Sequence, residues 1–505
     1  MHTGLTLFRA KLLPLLGLIT LLLLGLLLRI YDLDDPPFDF HPTRQLRAAI
    51  ITRGMYYQMD QAADPARKEQ AIALWQTMET YEPPIFERLT AFVYLLTGGE
   101  RLWIPRLLAS LAWLAGGLAL YDLARRVTST WGAATALAFF VCLPFSVVAS
   151  RAFQPDPLMV ALTICSAWAL ERWSASDGTS WKWTLLAGIF SGLAILFKVL
   201  AVFGVVAMAL GFFLTLQRRK QALRQPQTWV LAGLLTLLPA GYYLFGIGKR
   251  SADFAFFWTV QLADLLLQTK FYLRWLALLH GLVDPILIFL ALAASFLLPA
   301  RGKAAALGLW AGYLMIGLTF PYQVASHEYY SLPLLPPLAL GFAALVDAIS
   351  NRLKTQPRLA RAGVAAIALV VLGYTAWVAR STLAAQSYRF EPVAWEKMGA
   401  ALPRDGEIIA LVHDYGNRLK YYGWRAPNRY WLTTGDSALM AAAGSSAPQD
   451  FDAYFDDQTK GMHYFLVTLF SDLEAQPLLK ARLYDTYPIA QQGDGYILFD
   501  LTRSR

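Results

Sequence analysis

Residues 12–28 read LLPLLGLITLLLLGLLL, an apolar run that follows Arg9 and Lys11. A helix crosses the hydrocarbon core of a bilayer with about twenty mainly apolar residues. The apolar region of a cleaved signal peptide is shorter, and a cleavage site of small residues follows it. Here the run continues into RIYD at residues 29–32. The stretch therefore predicts a retained first transmembrane helix.

Apolar runs of similar length recur along the chain, and together with the first they predict about eleven transmembrane helices. Two of them meet at Lys198, which lies either at bilayer depth, where a cation is normally paired or functional, or in a turn between two short helices. The further runs lie at 103–124, 131–149, 157–173, 183–198, 199–216, 228–247, 276–298, 304–320, 330–349 and 363–379.

The composition agrees with a polytopic α-helical membrane protein. Of the 505 residues 56% are apolar and 16% are charged, which a soluble protein of this size would not accommodate. The two cysteines, Cys142 and Cys165, lie inside apolar runs, which argues against a disulfide framework and a thiolate metal site. The net charge of +9 comes from residues between the apolar runs, so it indicates cytoplasmic loops and not nucleic-acid binding.

The basic residues also predict the orientation. Most of them fall in alternate loops, which lie on one side of the membrane if the N-terminus is cytoplasmic. The opposite side then receives segment 30–90, with its interfacial helices, and the C-terminal tail. One outer loop disagrees, because it carries Lys249, Arg250, Lys270 and Arg274. The prediction is a multi-pass protein of the cell (inner) membrane whose tail is periplasmic or extracytoplasmic.

The tail differs in composition from the rest of the chain. Runs typical of strands (407–412, 464–468 and 496–499) alternate with helical stretches (395–402 and 472–483) and with turn signals. The sequence therefore predicts a transmembrane domain at 1–389 and a soluble C-terminal α/β domain at 390–505.

A cluster of acidic residues follows the first apolar run. It contains Asp32, Asp34, Asp35 and Asp39, and His41 lies beside them. One interpretation is a carboxylate at the membrane surface that accepts a proton from a hydroxyl group. The alternative is a polar, proline-punctuated loop that only begins an interfacial helix.

Two more clusters sit where helices are expected to begin. Glu82 precedes Pro83-Pro84, and Asp156 follows Arg151 in the segment RAFQPDP. Both carboxylates are candidates for chemistry. Each is equally explained by a favourable interaction with a helix N-terminus, and Arg151 by neutralisation of Asp156.

The last cluster combines His327, Glu328, Tyr329 and Tyr330 at the start of an apolar run. Tyrosines are common at membrane interfaces, whereas a histidine and a glutamate are less easily explained this way. All four clusters fall on the predicted outer face. The sequence contains no phosphate-binding glycine-rich motif, which argues against a nucleotide donor.

In these motifs the chain resembles the GT-C glycosyltransferases, in the branch of protein O-mannosyltransferases and bacterial lipid A aminoarabinose transferases. The resemblance runs over most of the chain in a common order. Its motifs are DFHPTRQ at 39–45 with 48–53, YEPPI at 81–85, IPRLLAS at 104–110, LARR at 123–126, RAFQPDPLM at 151–159, GLAILFK at 192–198 and HEYYSLPLLPP at 327–337.

The resemblance implies a GT-C fold and inverting transfer of a sugar from a polyprenyl- or dolichyl-phosphate donor to a hydroxyl group on the outer face. Asp39 matches the position of the general base. Where the family often has a paired Asp-Glu, this chain has Asp39-x-His41, so His41 or Glu82 is left for the second role. Candidates for binding the donor phosphate are Arg44, Arg151, Lys198, Arg274, His327, Glu328 and Tyr329.

The resemblance leaves the sugar open, and it leaves the acceptor open among lipid, glycan and protein, as in lipopolysaccharide modification or protein mannosylation. No cofactor is expected to be required, although Asp39, His41 and Asp156 offer mixed oxygen and nitrogen ligands for Mg²⁺ or Mn²⁺. Three other functions compete: a lipid or glycan transporter (flippase), a non-catalytic assembly subunit, and a membrane transferase of acyl or phosphoethanolamine groups. A transporter would favour polar residues at mid-span and repeated halves, which the sequence lacks.

Overall fold

A computed structural model of the chain describes residues 2–80, 82–246, 253–445 and 450–505. The chain forms two compact units. Unit 1 comprises Met1–Leu33, Tyr81–Pro83 and Pro105–Gln386, and unit 2 comprises Asp34–Thr80, Pro84–Ile104 and Ser387–Arg505. The domain division at residue 389 stays a prediction. Tyr81, Lys249 and Arg250 lie outside the described residues.

Unit 1 is built from helices. Every apolar run predicted from the sequence is mainly helical where the structure describes it, with breaks inside some of the runs. The longer α-helices are His2–Ile30, Trp103–Val127, Thr130–Cys142, Asp156–Ala175, Trp181–Phe197, Ala201–Leu214, Pro226–Ala240, Thr269–Leu282, Pro285–Ser295, Ala300–Thr319, Leu335–Leu353 and Arg358–Ala384. Shorter helical segments are Pro144–Ser150, Arg219–Ala222, Gly241–Gly246, Phe257–Gln261, Ala263–Leu267, Pro321–Ser326 and Glu328–Leu334.

By length and composition, four of these helical segments are able to cross a membrane among the described residues, or up to six if each of two bent pairs is one span. The four are Trp103–Val127, Pro226–Gly246, Glu328–Leu353 and Arg358–Ala384. Three shorter apolar helices are Pro14–Ile30, Trp181–Phe197 and Ala201–Leu214. Several apolar helices are thus present, while the total of about eleven spans stays a prediction.

Two predicted spans are not straight helices. The run at 131–149 bends by 58° before Pro144, and the run at 276–298 bends by 88° before Pro285. Proline has no backbone N–H to continue a helix, and it fits well at the first position of a new one. At the second bend the Asp284 side chain accepts a hydrogen bond from Ile286 N at 2.8 Å. The runs predicted as spans at 131–149 and 276–298 are therefore each two helices joined at a bend.

Glycines allow two helices of unit 1 to approach closely. A Cβ atom on Gly312 would lie 2.4 Å from the Cα atom of Gly204, and one on Gly308 would lie 2.8 Å from the backbone of Met208. Helices Ala201–Leu214 and Ala300–Thr319 therefore pack backbone against backbone, as is common where small residues line a membrane-helix interface. This packing fixes the helix that begins just after Lys198.

Unit 2 combines three helices from the first third of the sequence with the C-terminal part of the chain, from Ser387 to Arg505. These are Pro42–Met59, Pro65–Gln76 and Ile85–Thr97. The C-terminal chain adds the strands β1 (Ile408–Leu411), β2 (Arg429–Tyr430), β3 (Tyr464–Val467), β4 (Ile489–Gly493) and β5 (Tyr496–Asp500). Its α-helices are Glu391–Ala401, Asn417–Tyr421, Thr434–Ala442, Phe451–Thr459, Phe470–Glu474 and Pro477–Thr486, and a short turn spans His413–Gly416.

The strands form one mixed sheet in the order β2-β1-β3-β5-β4. Strand β1 is parallel to β2 and β3, whereas β5 is antiparallel to β3 and β4. Ile409, Phe465 and Phe499 lie opposite one another on adjacent strands and are fully buried. Their burial, together with that of Phe455 from a covering helix, supplies the core of this sheet.

The sequence predicted β1, β3 and β5 and missed β2 and β4. The predicted helix 472–483 is two helices, because Pro477 begins the second one. Strand β2 has only two residues, Arg429 and Tyr430, which is too short for an alternating pattern to show.

Candidate functional site

The first acidic cluster lies mainly in unit 2, in a loop that ends at the helix Pro42–Met59. The residue before this helix, His41, has a left-handed backbone with φ 45° and ψ 63°. Its carbonyl oxygen accepts hydrogen bonds from Arg44 N at 3.0 Å and Gln45 N at 3.3 Å. A left-handed conformation is unfavourable for most residues other than glycine, so surrounding contacts must hold it.

The loop before His41 is fixed from inside by one buried glutamine. Gln45 is 1% exposed, and its Nε2 donates a hydrogen bond to the carbonyl oxygen of Phe40 at 2.6 Å. The predicted base, Asp39, is half-buried between buried Phe38 and half-buried Phe40. The pKa of Tyr388 is raised, first by burial and then by the neighbouring Asp39 carboxylate. Asp39 therefore lies beside an aromatic side chain from the C-terminal part of the chain.

The other acidic residues of this cluster differ from Asp39 in their surroundings. Asp35 is 5% exposed and accepts hydrogen bonds from Tyr388 N at 3.0 Å and from Ser387 Oγ at 3.2 Å. Arg389 lies 3.5 Å from it. Asp34 is exposed. Asp35 thus fastens the loop to the C-terminal chain, whereas Asp34 lies at the surface.

In unit 1 the structure pairs two of the predicted residues. Lys198 Nζ lies 2.7 Å from Asp156 Oδ1, and the two residues are 3% and 1% exposed. Asp156 begins the helix Asp156–Ala175, and Lys198 follows the helix Trp181–Phe197 with an extended backbone. Lys198 is therefore between two helices, as one of the two sequence interpretations held. It is nevertheless buried and paired, not in an exposed turn.

Two tyrosines also lie beside Lys198. Its ammonium is 5.0 Å from the ring centre of Tyr329 and 4.7 Å from that of Tyr330. The negative faces of aromatic rings attract a cation at such distances. The second oxygen of Asp156, Oδ2, has no hydrogen-bond partner among the described residues. Lys198 and Asp156 thus form a buried ion pair in which Asp156 Oδ2 can accept a further hydrogen bond.

The remaining predicted residues of unit 1 are spread around these helices. His327 shares a hydrogen bond of 2.8 Å between its Nδ1 and Ser326 Oγ, and its ring contacts that of Tyr329. Glu328 follows it at the start of Glu328–Leu334 and is half-buried. Arg151 is 2% exposed and donates a hydrogen bond from Nη1 to Tyr31 O at 2.8 Å.

Three more predicted residues have different positions. Glu82 belongs to unit 1 and is half-buried before Pro83-Pro84. Arg44 belongs to unit 2 and is half-buried in the first turn of its helix. Arg274 is exposed on the helix Thr269–Leu282.

Arg29 and Gln154 are among the buried polar residues of unit 1 that the sequence analysis did not single out. Arg29 is completely buried and donates hydrogen bonds to Ser150 Oγ at 2.8 Å and to the carbonyl oxygens of Gly25 and Val141. Gln154 is 1% exposed, and neither end of its amide has a hydrogen-bond partner in the part of the chain that the structure describes. Gln154 was visible as the polar centre of RAFQPDP, while Arg29 looked like an ordinary basic residue at the end of a span.

Within the described ranges, no group of three or more His, Cys, Asp or Glu side chains is arranged to hold a metal ion. The metal-ligand set of Asp39, His41 and Asp156 stays a prediction.

Comparisons with known proteins address the fold and the enzyme class. Residues 81–243 match the family model described as dolichyl-phosphate-mannose-protein mannosyltransferase. None of the curated proteins compared with the chain matches its sequence. The matched residues include Glu82, Arg151, Asp156 and Lys198.

Three solved structures share the fold at low sequence identity. The apo state of ArnT from Cupriavidus metallidurans is 15% identical with a TM-score of 0.54, and the match covers 97% of this chain and 98% of that one. The archaeal oligosaccharyltransferase AglB from Archaeoglobus fulgidus, in complex with an inhibitory peptide and a dolichol-phosphate, is 12% identical with a TM-score of 0.55, covering 97% and 74%. The arabinofuranosyltransferase AftD from Mycobacteria is 14% identical with a TM-score of 0.50, covering 96% and 40%.

The matched structures establish the fold, and the family model supports the enzyme class independently of them. Together they agree with the resemblance stated from the sequence motifs: the chain has the fold of ArnT, AglB and AftD, and residues 81–243 match the model of the mannosyltransferase family.

Proposed function

We propose that the chain transfers a sugar from a polyprenyl-phosphate-linked donor to a hydroxyl group of a lipid, glycan or protein, on the outer face of the cell membrane and with inversion. The observation that carries this proposal is the buried pair of Lys198 and Asp156 beside Tyr329 and Tyr330. Asp156 and Lys198 lie inside the segment 81–243, which matches a family whose description names a dolichyl-phosphate sugar, dolichyl-phosphate-mannose.

The leaving group is a lipid phosphate, whose negative charge grows as the bond from the anomeric carbon to the phosphate oxygen breaks. Fixed cations stabilise such developing charge most strongly where water is excluded. Lys198 fits this role, since it is buried and Asp156 holds its ammonium in place. Arg44, Arg151, Arg274, His327, Glu328 and Tyr329 are proposed as further contacts to the donor phosphate. AglB, which shares this fold, was solved with a dolichol-phosphate.

Asp39 is the proposed general base. It accepts the proton of the acceptor hydroxyl as that oxygen forms its bond to the anomeric carbon, and the polyprenyl phosphate departs from the opposite face of the sugar. This single displacement inverts the configuration. A half-buried carboxylate in a loop with few degrees of freedom suits general-base catalysis, which contributes typically a factor of 10²–10⁴. His41 or Glu82 is proposed for the second role, which an acidic residue often has in the family that the chain resembles.

The same proposal places the protein in the inner membrane, with a cytoplasmic N-terminus and an outer C-terminal part. We propose transfer without an obligatory cofactor. Titration with a chelator tests this, because an obligatory Mg²⁺ or Mn²⁺ bound by Asp39, His41 and Asp156 would make transfer depend on added metal.

The test uses the purified full chain in detergent with radiolabelled polyprenyl-phosphate sugars and a membrane extract as acceptor. Wild type should transfer label, and Asp39→Asn should lose at least about 100-fold in rate, because it can no longer take a proton. Asp34→Asn is the matched control, since Asp34 is an exposed carboxylate in the same loop. The labelled product identifies the acceptor class.

Each other result has a definite meaning. Equal loss in Asp39→Asn and Asp34→Asn would indicate damage to the loop and remove Asp39 from the mechanism. Unchanged transfer by Asp39→Asn would do the same. If wild type neither transfers nor hydrolyses any donor, the proposed reaction is wrong.

A further inference from the structure

A strained turn follows strand β1 in unit 2. Asp414, Tyr415 and Gly416 have successive left-handed backbones, with φ of 54°, 53° and 73°. A left-handed helical conformation is unfavourable for an L-residue, because its Cβ atom comes too close to the following carbonyl oxygen. Glycine adopts it freely, but Asp414 and Tyr415 do not, so other contacts must hold this turn.

Two of these contacts reach Thr43, in the first turn of the helix Pro42–Met59 that follows the loop of the first acidic cluster. Thr43 Oγ1 donates a hydrogen bond to Asp414 Oδ1 at 2.7 Å, and Asn417 Nδ2 donates one to the carbonyl oxygen of Thr43 at 3.1 Å. Arg418 Nε donates to the other oxygen of Asp414. Thr43 is therefore held through both its side chain and its backbone, two residues after His41.

The opposite end of the same loop is also fastened to the C-terminal chain. Asp35 accepts hydrogen bonds from Ser387 and Tyr388, as described above. The ring of Phe38 lies 5.6 Å from that of Tyr388, and the Arg418 guanidinium lies 4.4 Å from the same Phe38 ring. Residues of the C-terminal part of the chain thus contact the segment around Asp39 on both sides, before it at Asp35 and Phe38 and after it at Thr43.

We propose that Asp414 and Asn417 are positioning residues that hold Thr43, and through it the segment from Asp39 to Arg44, in the conformation required for sugar transfer. This inference rests on the proposed function of Asp39. It gives the C-terminal part of the chain a role in the chemical step, beyond any role in binding the acceptor. The left-handed backbone of His41 and the left-handed turn at Asp414 stabilise one another through these bonds.

Substitutions at Thr43 test the proposal. Thr43→Val removes the hydroxyl group at nearly constant volume, and kcat should fall by about tenfold to a hundredfold, since small displacements of catalytic groups have effects of this size. The KM for the donor should stay within about twofold, because the lost interaction acts in the transition state. Thr43→Ser keeps the hydroxyl group and should restore most of kcat. In Thr43→Val/Asp414→Ala the two effects should not add.

Another hydrogen bond from a threonine hydroxyl group to an aspartate, elsewhere in unit 2, provides the control for the bond between Thr43 and Asp414. Thr434 Oγ1 donates to Asp472 Oδ1 at 2.5 Å, and Asp472 also accepts a hydrogen bond from Gln476 Nε2 at 2.7 Å, so this network joins residues of the C-terminal part alone. Thr434→Val should therefore leave kcat unchanged. In hydrogen-exchange measurements, Thr43→Val should speed exchange of the backbone N–H groups that lie within residues 36–46, whereas Thr434→Val should not.

Either of two results would overturn the proposal: Thr43→Val with wild-type kcat, or Thr434→Val with an equal loss of kcat. The exchange measurement does not depend on activity. If wild type transfers no sugar, the proposed function fails, and unchanged exchange at 36–46 in Thr43→Val would separately refute the positioning contact.

Discussion

The two units each bury a lysine beside a tyrosine ring, and the two lysines differ in whether a carboxylate pairs with the ammonium group. Lys198 in unit 1 is 3% exposed and lies 2.7 Å from the carboxylate of Asp156. Lys420 in unit 2 is 4% exposed. Its ammonium group lies 5.3 Å from the centre of the Tyr430 ring, and no carboxylate pairs with it among the described residues. Burial alone therefore does not distinguish the two lysines, whereas the partners of the ammonium group do.

The first prediction concerns a variant that removes the ion pair between Lys198 and Asp156. Lys198→Met should reduce transfer by at least about 100-fold, because it removes a cation that would stabilise the leaving phosphate. It should also lower the free energy of unfolding by about 3–5 kcal/mol, since it leaves a buried carboxylate without its counter-ion. Lys420→Met should transfer sugar at the wild-type rate. Thermal unfolding in detergent and the transfer assay measure the two effects separately.

A double variant separates lost charge from lost folding. Lys198→Met/Asp156→Leu removes both charges together, and replacing a buried ion pair by apolar residues is often neutral for stability. The variant should regain thermal stability but not transfer. Transfer by a stable double variant would show that the pair is structural in unit 1, as Lys420 is in unit 2.

The second prediction concerns Lys420, which has no ion-pair partner among the residues that the structure describes. Burial lowers the pKa of Lys420 from 10.5 to about 8. Below pH 8 the folded state therefore bears the full cost of a buried charge, and this cost disappears as the pH rises from 8 to 10.5. Lys420→Met should raise the stability of unit 2 at pH 7 by about 2 kcal/mol, and should remove the gain in stability that wild type shows between pH 8 and 10.5.

Hydrogen exchange in β1 and β3, followed from pH 6.5 to 10.5 with correction for intrinsic rates, measures this difference. Lys198→Met is the contrasting variant, because it should not change the pH dependence of the strands. A Lys420→Met protein that is no more stable than wild type at pH 7 would mean that Lys420 has an anionic partner in solution.

Much of unit 1 was predictable from the sequence, because apolar length and proline position are local properties. The bends before Pro144 and Pro285 also had local signals, although the apolar runs hid them. The contacts between the loop around Asp39 and the C-terminal part of the chain were not predictable. Asp35 and Asp39 look alike in the sequence, and the difference between them depends on Tyr388, which is 353 residues from Asp35. For the same reason the sequence left open whether Lys198 was paired, since Asp156 is 42 residues away.

The last prediction applies the comparison to hydroxyl groups, where the expected effect is smallest. Tyr313 in unit 1 accepts a hydrogen bond from Trp275 Nε1 at 3.0 Å and shares one with Ser331 Oγ at 3.1 Å. Tyr430 in unit 2 has a buried hydroxyl group with no hydrogen-bond partner in the described ranges. Tyr313→Phe should cost about 1 kcal/mol of stability or somewhat more, because Trp275 loses its acceptor.

Tyr430→Phe should be neutral or stabilising, because it removes a polar group that was buried without compensation. The phenylalanine ring introduced at this position would still face the ammonium of Lys420, so the variant tests the hydroxyl group alone. Hydrogen exchange in the helix Ala300–Thr319 and in strand β1 reports the two changes. If Tyr430→Phe destabilised β1 as much as Tyr313→Phe destabilises its helix, the Tyr430 hydroxyl group would have to be bonded to a bound water or ligand, and the apparent contrast between the two units would come from an occupied site beside Lys420.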